Sequence, residues 1–126
     1  MDLSFTYSTD VLLAGRLHCT RRWWRTCYLL KWQRAYDRGE VVHAAYDHLP
    51  CVNGRQIGTL RLTHRPERVR IADLPETDFC DDGGPWPTKA SFLAKYGPDR
   101  TPVVIRFELI SPVEPETAAD AAGQPA

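Results

Sequence analysis

The sequence predicts an α+β fold, a small and mostly antiparallel sheet of five or six strands curled into a barrel, with two to three helices packed over it. Three observations point that way. Two segments, 23–38 and 88–97, carry helical spacing; after Gly39 the hydrophobic period shortens to two; and Pro and Gly punctuate the remainder into strand-length pieces. At 126 residues and 43% hydrophobic, the chain is sized for one domain with a core of its own.

The elements follow in order. Ser4 to Tyr7 reads as a short strand, and Ser8, Thr9 and Asp10 offer N-caps for a brief helix, Val11 to Ala14, closed by Gly15. A basic turn follows. From Trp23 to Arg38 the pattern is helical, because Trp24, Tyr28, Trp32 and Ala35 fall at i, i+4, i+8 and i+11 on one face and Gly39 supplies the stop. Val42, Ala44 and Tyr46 then alternate with Val41, His43 and Ala45. "HLPCVNGR" carries turn formers, and "QIGTLRLTH" resumes with Leu60 and Leu62 inward, which predicts a hairpin or meander. Thr59 to Ala72 reads as a long strand bulged at Pro66 or as two short strands, the bulge being favoured.

"DLPETDFCDDGGPWP" reads as an irregular loop, "TKASFLAKYG" as a helix capped by Thr88 and stopped by Gly97, and "TPVVIRFELI" as a last strand with Val103, Ile105, Phe107 and Leu109 on one face. The Pro/Ala/acid stretch 111–126 has little to bury and is expected to be a disordered tail. Four dispersed cysteines without a C-x-x-C pair, and no apolar run of membrane-spanning length, predict a reduced, cytoplasmic protein with no membrane partner and a preference for the monomer. His43, His48 and Cys51 have metal-ligand chemistry but no zinc-site spacing; neither a metal nor any other cofactor is expected.

Sixteen basic side chains balance sixteen acidic ones, so partner inferences must come from distribution. Residues 16–38 hold seven Lys or Arg against Asp37 alone, whereas residues 73–82 hold five acids and no base. Interleaved cations and flat aromatics suit phosphates and unpaired bases. Arg16, Arg21, Arg22, Arg25 and Lys31, with Trp23 beside them, are the nucleic-acid-binding candidates, and Trp86, after Gly83-Gly84-Pro85, could cover a base. Two competing readings stay open: the tryptophans begin a buried helix face under a solvated basic rim, or the acidic run folds against the basic one and neutralises it.

The stretch "LAGRLHCTRR" resembles the signature of ASCH domains, members of the PUA-like superfamily, in which a short helix runs into Gly-x-Lys-x-x-Thr-x-Arg. Gly15, Thr20 and Arg22 match; Leu17 stands where the family has lysine. "GEVVHAAYD", "NGRQIGTLRLTH", "TKASFLAKYGPDRTP" and "PVVIRFELI" are similar to later elements of that family, so the resemblance covers roughly residues 3 to 110 and implies a domain over residues 1–110. It implies a PUA-like pseudobarrel with a cleft where the Gly-to-Arg segment faces the loop before the second-last helix, and a role in binding RNA or a modified nucleotide. The alternative it implies is a small hydrolase, a nucleoside amidohydrolase or ribonuclease, using the same cleft. Thr20, His18 and Asp82 are the catalytic candidates for that case. A threonine hydroxyl needs a base within reach, and leucine at position 17 cannot supply one.

Overall fold

The computed structural model describes residues 2–5, 9–48, 53–79 and 88–112. It is an α+β pseudobarrel. A curled mixed sheet is built from β1 (Asp2–Ser4), β2 (Cys19–Arg22), β3 (Val42–Tyr46), β4 (Gln56–Leu62), β5 (Glu67–Arg68) and β6 (Val103–Pro112), in the order β1-β3-β4-β6-β2 with β5 also on β6. β1 and β3 run parallel; the other pairs are antiparallel. Helices α1 (Thr9–Leu13), α2 (Thr26–Asp37) and α3 (Lys89–Tyr96) complete the described elements, with two 3-10 turns, Ile71–Asp73 and Glu76–Asp78.

Several local readings are realised. Gly39 adopts φ +88° and ends α2 with Gly39 N–H bonded to Tyr36 O and Glu40 N–H to Ala35 O, the paired bonds of a Schellman stop. Thr88 caps α3 through a reciprocal box with Ser91. Val103, Ile105 and Phe107 share the face of β6 that lines the larger core, with Leu109 packed against it. Leu60 and Leu62 point inward as expected.

Other readings are corrected. The basic turn after α1 is a strand: β2 pairs with β6 from Cys19↔Arg106 to Arg22↔Val103. Helix α2 starts at Thr26 rather than Trp23, because Arg25 is still extended (φ −69°, ψ 158°) and Arg68 Nη2 donates to Trp24 O at 2.7 Å, holding that carbonyl out of a helical turn. Trp24 nevertheless joins the expected aromatic row, its ring 4.7 Å from Tyr28 and 5.2 Å from Trp32. Across Pro66 the favoured bulged strand gives way to the alternative of two short strands. Residues 63–66 bridge between Leu62↔Phe107 and Glu67↔Val104, so β4 and β5 occupy one edge of β6 in succession, and the chain turns 3-10 at Ile71. β1 is also earlier than expected, at Asp2–Ser4, and β6 continues through Pro112; residues 113–126 of the expected tail lie outside the described residues.

Two cores flank the β2–β6 pair. The larger gathers Leu3, Phe5, Leu12, Leu29, Trp32, Ile57, Leu60, Ile105 and Phe107; the smaller gathers Cys19, Ile71, Leu74, Phe79, Phe92 and Val104. Alternation along a strand assigns successive residues to opposite faces, so β2 divides its side chains between the two. No helix among the described residues is long and apolar enough to cross a membrane.

Candidate nucleotide site on the second strand

That alternation decides what becomes of "CTRRWW". Cys19, Arg21 and Trp23 turn to the smaller core, whereas Thr20, Arg22 and Trp24 turn to the larger one. A cluster of cations in the sequence is thereby separated into two Arg–Trp pairs on opposite faces.

On the first face Arg21 is held by its surroundings. Its Nη1 donates to Asp78 O at 2.8 Å, and its guanidinium lies 4.1 Å from the Phe79 ring centre and 5.1 Å from that of Phe92. Its Nε is buried without a hydrogen-bond acceptor, and burial lowers its affinity for a proton. The Asp78 carboxylate, 5% exposed, turns instead to Arg106 at 2.6 Å and 3.3 Å. His18 Nε2 donates to Thr77 O at 2.5 Å. Residues 73–79 of the acidic run therefore pack against β2, through the Thr77 and Asp78 carbonyls and the Leu74 and Phe79 side chains, and the Asp78 carboxylate is ion-paired with Arg106. Trp23 is 42% exposed, with Phe92 (centroids 6.1 Å, planes 9° apart) and Tyr96 (4.8 Å) against it.

On the second face Arg22 spans the open side of the barrel. β1 and β2 are the two ends of the strand order, and Arg22 Nη2 donates to Ser4 O at 2.7 Å while its Nε donates to Thr20 Oγ1 at 3.0 Å. The guanidinium also lies 5.3 Å from the Phe5 ring centre. A side chain thus links edges that no backbone ladder joins. These acceptors are neutral. Burial pushes the Arg22 guanidinium down to about 10, partly offset by the nearby Tyr28. Leu17 packs against the larger core, so the position where the ASCH signature has lysine serves packing here.

Arg16, Arg25 and Lys31 are exposed; Arg25 stands at the N-terminus of α2 and Lys31 on its outer flank. Asp82 and Trp86 lie outside the described residues, as does Cys51. His43 is buried against Trp32 (4.5 Å between ring centres), with Nε2 3.0 Å from Glu40 O, and no group of three or more His, Cys, Asp or Glu among the described residues is placed to hold a metal.

Sequence reading missed three neighbours of this corner: Arg68, which fixes Trp24 O; Arg100, whose guanidinium lies 4.6 Å from the Trp23 ring centre; and Tyr96. Arg68 and Arg100 are far from the basic run in the chain, and only the pairing of residues 67–72 alongside 98–104 brings them to it. Comparison with family models, with curated proteins and with solved structures finds no match to this chain, so the likeness to ASCH domains rests on its motif residues and the site is read from its chemistry.

Proposed function

We propose that this protein binds RNA or a modified nucleotide, as an ASCH-like domain would, where Arg22 bridges the ends of the sheet between β1 and β2. The observation that carries the reading is how the arginines sort. Arg38, Arg65, Arg70 and Arg106 each form an ion pair, with Glu40, Asp37, Asp73 and Asp99, and Asp78 respectively. The cations at the β2–α2 corner do not: among the described residues Arg22 and Arg68 donate to carbonyl or hydroxyl oxygens, Arg100 rests on aromatic rings, and none of the three meets a carboxylate. Among the described residues these three cations are not matched by a carboxylate, which favours a positive field where an anion can approach.

Arg22 is the centre of the proposal. A partly buried guanidinium with neutral partners is costly, and a phosphate or another anion would relieve that cost. Thr20 Oγ1, already an acceptor from Arg22, can donate its own proton to such a ligand. Trp24 and Tyr28, packed edge to face, give the same side an aromatic wall, and Arg25 adds charge at its rim. Phosphate contacts of this kind provide affinity and position more than sequence choice.

The hydrolase reading has less behind it. Thr20 is bonded to a cation, Leu17 is packed into the core, and His18 is engaged with Thr77, so none of these supplies Thr20 with a base. The test is fluorescence anisotropy with single-stranded RNA, structured RNA and duplex DNA at low and near-physiological salt, for the native protein and an Arg22→Met/Arg25→Ala variant. Salt-sensitive RNA binding that the variant loses, with the salt slope flatter by about one per phosphate contact removed, is the expected result. A folded protein that binds none of them, and no free nucleotide, overturns the reading.

A further inference from the structure

The opposite face of the same corner carries a second surface that the cleft does not use. Trp23 is 42% exposed, yet its indole is rigidly seated: Phe92 lies parallel to it at 6.1 Å, Tyr96 is tilted against it at 4.8 Å, and the Arg100 guanidinium sits 4.6 Å from its ring centre and 5.8 Å from that of Tyr96. Arg100 is itself exposed. The backbone beneath is tied down, with Arg100 O accepting from Ile71 N–H at 2.9 Å and Thr101 O accepting from Arg68 Nη1 at 3.3 Å, while Arg68 reaches across to Trp24 O.

From this geometry we infer that Trp23, Tyr96 and Arg100 form a stacking platform for an unpaired base, so that the ligand is a single-stranded RNA crossing the β2–α2 corner and not an isolated nucleotide. The inference rests on the reading of the Arg22 cleft as a phosphate site. Three features support it. The surface is aromatic, with Trp23 just after β2 and Tyr96 on α3 inclined at 53° to each other, and the backbone beneath it is tied down, which keeps the ordering cost of binding low. A guanidinium on an indole presents its own plane outward, and bases stack on arginine planes as they do on aromatic rings. The charge that accompanies the platform, Arg100 and Arg68, has no carboxylate partner among the described residues and can serve a phosphate flanking the stacked base.

The experiment compares binding of a nucleoside monophosphate, a single-stranded RNA of about six nucleotides, and a blunt RNA duplex. The proteins are native, Trp23→Ala, Arg100→Gln and Arg22→Met, each first confirmed as folded by circular dichroism. The single strand is expected to bind at least about tenfold tighter than the monophosphate, the scale of one stacked base. Trp23→Ala is expected to erase that gain without changing monophosphate affinity, and Arg100→Gln, an exposed change that spares the core, to reduce it. Arg22→Met should weaken both ligands. If the single strand gains nothing over the monophosphate, or if the gain survives both Trp23→Ala and Arg100→Gln, the platform is wrong while the Arg22 site stands. A gain shared equally by the duplex also overturns it, because paired bases cannot stack there. Failure of every ligand to bind overturns the cleft reading and the platform with it.

Discussion

Replacing Asp78 by asparagine tests whether the acidic segment is held to the sheet by one buried charge pair. Asp78 is 5% exposed and both its carboxylate oxygens receive Arg106, at 2.6 Å and 3.3 Å, while its backbone carbonyl takes Arg21 at 2.8 Å. Asparagine keeps the shape and the backbone contact but cancels the negative charge and turns one acceptor into a donor facing a cation. Hydrogen bonds to a charged group are worth roughly 1.5–3 kcal/mol each, and breaking a buried pair costs about 3–5 kcal/mol when the remaining ion is fully enclosed. The Arg106 side chain is 28% exposed, so water recovers part of that loss and the expected cost is about 2–4 kcal/mol. For a domain of this size that is a fall in Tm of roughly 10–15 °C. Urea unfolding of Asp78→Asn beside Asp73→Asn supplies the comparison. Asp73 pairs with Arg70 but is 61% exposed, and its loss should cost under about 1 kcal/mol. Equal midpoints for the two variants would refute the argument that burial, not the count of ion pairs, sets the contribution. A further Arg106→Met change should recover part of the Asp78→Asn loss, since it removes the stranded cation.

Three further outcomes are expected. Burial, reinforced by Asp78, pushes the Cys19 thiol up to about 11, whereas Cys27 is exposed; thiol labelling at about pH 8 followed by peptide mapping should modify Cys27 in the native protein and Cys19 only after unfolding. Burial lowers the proton affinity of His43 in the fold, so its neutral form is favoured there and the unfolded chain binds more protons; stability from this residue is present above its unfolded value near about 6.5 and declines as pH falls through the lower folded one. Denaturation midpoints of the native protein between about pH 7 and 5 should fall more steeply than those of His43→Gln. At Gly58 an added Cβ would lie 2.9 Å from Leu109 Cδ1 and 3.0 Å from Ser111 O, beside the register shift between β4 and β6; Gly58→Ala should cost about 1–3 kcal/mol in chemical unfolding, and an unchanged midpoint would mean β6 yields freely.

Much of the frame was legible in the sequence because it is local. The period-two face of β6, the Thr88–Ser91 cap and the Gly39 stop each depend on residues within a few positions of one another, so spacing alone announces them. The density of cations and tryptophans after Gly15 was equally plain. What spacing could not decide was where those side chains go. "CTRR" became a strand because β6 offered it a backbone partner, and the alternation it started sent Arg21 and Trp23 to one core and Arg22 and Trp24 to the other. Which arginines are matched by acids was also hidden, since Arg106 meets Asp78 and Arg65 meets Asp37 across 28 positions of chain in each case. Composition and periodicity set how much charge and apolar surface the chain carries and which elements it can form. Only the tertiary pairing, which brings distant residues within a few ångströms, determined which cations meet a carboxylate and which meet only neutral acceptors and aromatic rings.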